Sequence, residues 1–355
     1  MNKGLSLQDL EYKLPESRIA TYPVSPRSSA KLLVVGDSNR HLSIKDLPTI
    51  LPENSVLVIN ETAVLPARFK AHRMDTGGKV EGLFLREINE GVWEVMLKSN
   101  GNLREKIVIS LASGITLTLD NKKGSYWHCT CSDKQDAAII LNAIGVTPLP
   151  PYILKARGNL VFEDCVDRMS YQTIYANPEE AKSVAAPTAG LHFETQMFDL
   201  IKEKGVECIP ITLHVGAGTF KPIETTCLED HVMHKEWWSV SQSSLNVLKE
   251  AKRSSRPIIA VGTTTVRTLE SLPNIVDWPH EGGLSGSTAL MITPPYNFKI
   301  VSGLMTNFHL PRSSLLALVS AFIGIEKLHQ VYEEAIAKDY RFYSFGDAMY
   351  IPSAS

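Results

Sequence analysis

The chain has 355 residues, 44% of them hydrophobic, with a formal net charge of -2. Such a length supports a large core, in two domains or one elaborate one. The charge excludes a bulk polycation but not a local basic face that binds phosphates.

The opening stretch MNKGLSLQDLEYKLP lacks the apolar segment of a signal peptide. Residues up to about 62 hold two strand-like runs, KLLVV and SVLVI, with turn residues between them. From 63 to 145 short strand-like runs follow one another: VLPARFKAH, KVEGLFLRE, GVWEVMLK, KIVIS, ITLTL and SYWHCTC. A spacing of about ten residues suits a small barrel or sandwich. Cysteines stand at 129, 131, 165, 208 and 227. The Cys129–Cys131 pair alone does not make a zinc site, so reduced thiols in a cytoplasmic protein and no metal are expected.

At PLPPYI (148–153) the prolines mark a boundary or a stiff connector. Beyond it, helical and extended patterns alternate. FETQMFDLIKEKG predicts a helix ending at Gly205, ECIPITLHV a buried strand and SLNVLKEAKRS a helix. PIIAVG predicts a strand and TTVRTLESL the helix after it. That alternation predicts an α/β fold: a mixed sheet with flanking helices, joined by the amino-terminal strands. The expected division is 1–62 plus 146–355 as the α/β domain, with 63–145 as an inserted small β-barrel domain. Leu315 to Ile325, interrupted by Ser320 and Gly324, is about half a membrane span and reads as a buried helix.

Several segments carry polar groups suited to a site. SVAAPTAGLHF lets a ligand approach backbone near Gly190 and His192, or packs a strand end tightly against a helix. LHVGAGTFKPI puts His214 at a strand end before Gly216 and Gly218. EDHVMHKEWW places His231, His234 and Glu236 together without the zincin spacing, so acid–base work or ribose contact is expected over metal binding. A single histidine is more often structural; several in one stretch shift that balance. AVGTTTVRTLES offers Thr263 and Thr264 at a helix start, with Arg267 one turn in or paired on the surface with Glu270. The closing residues bring Asn307, His309, Arg312, Arg341, Tyr343 and Asp347 around an apolar run. Polar groups beside buried surface need partners, so an ordered polar site is expected there, with Arg312 facing a phosphate or lying on a solvated turn. Tyr152, Lys155, Arg157, Arg168 and Tyr171 are types that stack on bases and neutralise phosphates, although Glu163, Asp164 and Asp167 lie among them. SVAAPTAGLHF itself has no dinucleotide or P-loop glycine pattern.

Taken in order, PLPPYI, YQTIYA, SVAAPTAGLHF, LHVGAGTF, HVMHKE, AVGTTTVRTLE, TNFHLPRSSLLALVSAF and YRFYSFGDAM resemble the S-adenosylmethionine:tRNA ribosyltransferase-isomerase family of queuosine biosynthesis, nearly end to end. The resemblance implies an α/β domain with an inserted β-barrel. It implies transfer of the ribosyl part of S-adenosylmethionine onto the aminomethyl group of a 7-deazaguanine at the tRNA wobble position. Epoxyqueuosine forms; adenine and methionine leave. The donor is consumed as a substrate, so no cofactor and no metal are expected; the partner is tRNA, the chain a monomer without membrane association.

That chemistry needs a base beside the sulfonium, an acid for departing adenine and a neutral attacking amine. His214, His231, His234, Glu236 and His309 are the candidates, with no role assigned to any one. Thr188, Gly190, His192, Gly216, Gly218, Thr263, Thr264, Arg267, Asn307, Arg312 and Asp347 are expected to bind substrate. Lys155, Arg157, Arg168 and Tyr171 are expected to meet tRNA. The chain departs from the family pattern at Asn60-Glu61-Thr62-Ala63-Val64, where an arginine is absent, at Ala30-Lys31, at Thr293-Pro294-Pro295 and at 98–102. These departures thin the contacts expected toward tRNA, and leave a divergent acceptor or a non-catalytic RNA-binding relative as the rival readings.

Overall fold

The computed structural model describes residues 5–158, 163–216, 228, 231 and 233–354. In chain order the elements begin with β1 (Lys31–Val34), β2 (Arg40–Ser43), α1 (Leu47–Ile50), β3 (Val56–Asn60) and β4 (Ala63–Val64). Then come β5 (Arg68–Arg73), β6 (Lys79–Asn89), β7 (Val92–Ser99), β8 (Val108–Ser110), β9 (Thr116–Lys123) and β10 (Tyr126–Cys131). Helices α2 (Ala137–Ile144), α3 (Pro151–Arg157) and α4 (Asp164–Ser170) lead to β11 (Ala181–Ser183), α5 (Thr195–Glu203) and β12 (Glu207–Leu213). After β13 (Glu236–Val240) and α6 (Gln242–Arg253) come β14 (Ile258–Val261), α7 (Thr263–Glu270), β15 (Leu284–Thr288) and β16 (Gly303–Asn307). The chain closes with α8 (Ser314–Ile323), α9 (Ile325–Ala337) and β17 (Ala348–Ile351).

Nine of the described strands form one mixed sheet in the order β15-β13-β12-β3-β14-β16-β17-β1-β2. Strand β3 lies at its middle, parallel to β12 and β14, and all five of its residues are buried. Its continuous apolar run suits a strand covered on both faces. Because β14 is also parallel to β16, the carboxyl ends of β12, β3, β14 and β16 share one edge. That edge is where ligands settle in open α/β sheets.

The intervening chain forms a closed barrel in the order β10-β7-β6-β5-β8-β9. Its interior is filled by Phe69, Phe84, Trp93, Val95, Leu117, Leu119 and Trp127, leaving a packed core rather than a lumen. Gly82 makes this possible: a Cβ there would lie 2.1 Å from the Phe69 ring. Cys129 and Cys131 alternate inward on β10, and burial pushes the Cys129 thiol up to about 12. Entry and exit of the barrel are stitched together where Arg68 and Val146 exchange backbone hydrogen bonds of 3.1 and 2.7 Å.

Two expectations change in detail. The proline connector starts a helix, since Pro151 occupies the first turn of α3, where its missing N–H costs nothing. The apolar run near the carboxyl end is two helices, α8 and α9, bent by 110° at Gly324, whose φ of +77° terminates the first. Among the described residues no single helix is long and apolar enough to cross a membrane, and α8 lies in the main core.

Candidate active site

At this edge the ends of β3 and β12 are cross-linked to the start of α7 by Asn60. This fully buried side chain donates to the Leu213 carbonyl at 3.0 Å and to the Thr264 hydroxyl at 3.3 Å. Its own carbonyl accepts the N–H groups of Thr62 and Leu213 at 3.2 and 3.1 Å. One amide thus ties β3, β12 and α7 together. A polar residue ending a buried strand is a signal that sequence reasoning could have used for Asn60.

Helix α7 continues the site inward. All eight of its residues are buried, although most are polar. Thr263 and Thr264 line a small pocket with Thr188, Asn307, His309 and Tyr152. Its free volume is about 50 Å³, room for a carboxylate or hydroxyl-bearing end but not for a nucleoside. The lining groups hold each other in place. Thr188 donates to Asn307 Oδ1 at 2.9 Å, and Asn307 donates to the Tyr343 carbonyl at 3.2 Å. His309 Nε2 lies 2.9 Å from the Thr306 hydroxyl, and burial pushes its pKa down to about 3.

Across Val215 the pocket adjoins an open cleft of about 560 Å³, walled by the sheet on one side and the barrel on the other. His214, Gly216, His234, Glu236 and Trp237 come from the sheet side, Arg86, Glu94 and Tyr126 from the barrel. His214 Nδ1 lies 2.9 Å from the Thr62 hydroxyl, and its Nε2 is 3.5 Å from a Glu180 oxygen. Burial and then Lys182 push His214 down to about 4, so the imidazole is neutral near pH 7. Desolvation, and then the Glu180 charge, raise the Glu61 carboxyl. His234 reaches the barrel, its Nδ1 3.3 Å from the Tyr126 hydroxyl. His231 is half-buried, and burial followed by His234 lowers its pKa. Among the described residues no group of three or more histidine, cysteine or acidic side chains is arranged to hold a metal.

Beneath the cleft, Glu236 and Arg267 form a fully buried ion pair. Glu236 also accepts the Gly216 N–H at 3.0 Å, and Arg267 donates to the Leu290 carbonyl at 3.1 Å. The alternative, a surface pair of Arg267 with Glu270, does not form: Glu270 accepts backbone N–H groups of Lys299, Ile300 and Val301 at 2.8–3.0 Å. Buried this way, Arg267 lies beneath the cleft floor and outside the residues that line the pocket and the cleft.

Other expected ligands have structural partners. A Cβ on Gly190 would lie 1.8 Å from the Tyr175 hydroxyl, so this glycine makes room for the Tyr175 side chain. His192 is buried behind Asn307, whose amide lies 3.3 Å from its Nε2, and desolvation pushes it down to about 3. Asp347 accepts the N–H groups of Lys31 and Arg341 at 3.0 and 2.7 Å, tying β1 to the closing loop. Arg312 is exposed, 3.8 Å from Glu11, and lies outside the pocket and cleft linings; the neighbouring Ser313 caps α8. Gly218 lies outside the described residues.

The expected tRNA contacts split. Lys155 is exposed, 3.6 Å from Glu16. Arg157 is buried, gripping Asp167 at 2.7 and 2.9 Å and lying over the Tyr22 ring. Arg168 binds Asp164 at 2.5 Å and the Gly145 carbonyl at 2.6 Å, and Tyr171 is buried against Phe345. The interleaved Asp167 and Asp164 thus hold Arg157 and Arg168, Tyr171 is packed in the core, and Lys155 alone of the four is exposed.

Among known proteins, the model of the queuosine biosynthesis protein family matches residues 7–351. A relative from Desulfitobacterium hafniense named S-adenosylmethionine:tRNA ribosyltransferase-isomerase is 39% identical, covering 98% of this chain and all of its own length. One of the same name from Staphylococcus haemolyticus is also 39% identical over 98% of this chain. A crystal structure of S-adenosylmethionine tRNA ribosyltransferase from Thermotoga maritima is similar at 29% identity and a TM-score of 0.53, covering 97% of this chain and 99% of that one. The α/β fold with its closed barrel, the ordered motifs and these near-complete matches together show that the chain belongs to the queuosine biosynthesis protein family.

Proposed function

We propose that this chain transfers and isomerises the ribosyl moiety of S-adenosylmethionine onto the 7-aminomethyl-7-deazaguanine at the wobble position of tRNA, giving epoxyqueuosine with release of adenine and methionine. Relatives named for ribosyl transfer to tRNA, matched over 98% of this chain, support it and do not favour a divergent acceptor or a non-catalytic RNA-binding role. The observation that carries the mechanism is the position of His214, which lines the outer cleft next to Val215, the residue shared with the inner pocket, and lies 2.9 Å from the Thr62 hydroxyl.

The sulfonium of the donor acidifies the protons beside it. A neutral imidazole can take one; a cationic imidazole cannot. We assign that step to His214, with Thr62 orienting the ring. His234, at the cleft rim beside Tyr126, supplies the proton that departing adenine needs. The inner pocket, with hydroxyl, amide and imidazole groups but little free volume, takes a polar end of the donor, and the cleft takes the bulkier parts. S-adenosylmethionine is consumed as substrate, and this scheme uses neither metal nor cofactor. The working unit is one cytoplasmic chain, with 63–145 as a domain inserted between 1–62 and 146–355.

The test is incubation with S-adenosylmethionine and tRNA carrying the aminomethyl-deazaguanine, followed by nucleoside mass spectrometry. Epoxyqueuosine and free adenine in equal amounts are expected; the absence of both rejects the assignment.

A further inference from the structure

Trp237 lies within β13 between Glu236 and Trp238, which are both buried, yet it is 40% exposed. Strand alternation turns its indole into the cleft. One face of the ring is covered. The His214 N–H donates to the Trp237 carbonyl at 3.0 Å, which sets the two side chains side by side on adjacent strands. Their rings stack with centroids 4.9 Å apart and planes within 16°. On the opposite flank, β15 pairs Ser287 with Trp237, and this exposed serine is too small to cover the indole. The result is a slot one strand wide, with an aromatic wall on one side. Lys182 and Lys235 border the same cleft, and Tyr126 faces it from the barrel. The volume of about 560 Å³ falls within the roughly 300–1,000 Å³ usual for small-molecule sites.

We propose that this slot seats the acceptor base: the wobble nucleobase, turned out of its loop, slides over Ser287 and stacks on the open face of Trp237, with Lys182 and Lys235 toward the flanking phosphates. The proposal rests on the tRNA reading above and adds where the base goes. Unstacked bases in RNA loops are held by aromatic faces, and every base offers a π-face to one. His214 covers the other face of the same indole, so one aromatic layer lies between the seated nucleobase and the imidazole, and the stack holds the indole plane in place for the base.

The experiment is equilibrium binding of an anticodon stem–loop with 7-aminomethyl-7-deazaguanine at the wobble position, against the same loop made abasic there. The full-length parent, Trp237→Ala, Trp237→Phe and Ser287→Phe are compared. Trp237→Ala should raise Kd for the modified loop roughly tenfold or more, and Trp237→Phe should restore most of it. Ser287→Phe should weaken binding similarly, because it fills the slot from the neighbouring strand without touching His214. None of the three should alter Kd for the abasic loop. If Trp237→Ala and Ser287→Phe bind the modified loop like the parent, or lose the abasic loop equally, the slot does not read the base and the proposal falls. A parent that binds neither loop overturns both this proposal and the tRNA reading. A parent that shows the expected discrimination yet releases no adenine supports the slot and overturns the transferase assignment alone.

Discussion

The barrel and the carboxyl edge of the large sheet bury opposite kinds of side chain. The barrel interior is aromatic, aliphatic and thiol-bearing. The sheet edge instead buries Asn60, Thr263, Thr264, Arg267, Glu236, Asn307 and His309. Burying polar groups is unfavourable unless each finds a partner. The dense exchange among Asn60, Thr188, Asn307 and the Glu236–Arg267 pair meets that condition and leaves their atoms aimed at one pocket and one cleft. A protein concentrates such groups where chemistry is needed. The barrel then serves as a wall: Tyr126 and Arg86 reach the cleft, while its core takes no part.

This contrast can be broken or sharpened by substitution. The largest effect is expected at His214. His214→Ala should lower kcat about 10²–10⁴-fold while changing tRNA affinity little; steady-state kinetics beside a binding titration separate the two. Because burial holds His214 near 4, protonation of this base should take no share in any change of the parent's kcat between neutral pH and about 5, and should lower it only below that. A fall centred near 6.5 in the parent that His214→Ala abolishes would contradict the low value for His214.

Next in size is the ion pair beneath the cleft. Glu236→Ala strands the Arg267 charge in a buried site, with an expected loss of about 3–5 kcal/mol in urea unfolding. In the barrel, Leu117→Ala should cost about 2–4 kcal/mol, with turnover per folded molecule unchanged. A loss of turnover there would mean that the barrel core and the sheet edge are coupled more tightly than their separate packing implies.

A smaller effect follows from His309, whose folded pKa of about 3 lies below its unfolded value. The unfolded chain therefore binds the extra proton first. Stability is whole above the unfolded value, near 6.5, and declines as pH falls toward the folded value. The slope is on the order of 1 kcal/mol per pH unit. His309→Gln should flatten the dependence of urea midpoints on pH across that window. Smallest of all, Lys155→Ala should weaken tRNA binding slightly and uniformly across sequences. It should lower the salt slope by about one phosphate contact.

Much of this molecule was legible as pattern. The alternating runs of residues 63–145 anticipated the short barrel strands, and the apolar runs anticipated β1, β3, β12 and β14, because periodicity and continuous hydrophobicity report burial directly. Ordered motifs from PLPPYI to YRFYSFGDAM carried the family. Arg168 pairs with Asp164 one helical turn away, a spacing visible in the sequence, whereas Arg157 meets Asp167 across the gap between α3 and α4, which only the tertiary structure sets. Gly190 looked like a backbone approach point, but the room it makes is filled by Tyr175, a residue fifteen positions earlier in the chain.

The two adjacent tryptophans of β13 show the boundary best. Local sequence makes both good strand residues and announces an aromatic pair. It cannot say which of them faces the core, because that depends on the register of β13 against β12 and β15, set by hydrogen bonds to residues far along the chain. A shift of one residue would exchange the buried Trp238 for the exposed Trp237 and carry Glu236 away from Arg267. Residue types and their order thus settle the family and the class of chemistry. Long-range pairing alone brings His214, Thr62 and Trp237 to a single point on the sheet edge, since no local propensity encodes contacts across 150 residues of intervening chain.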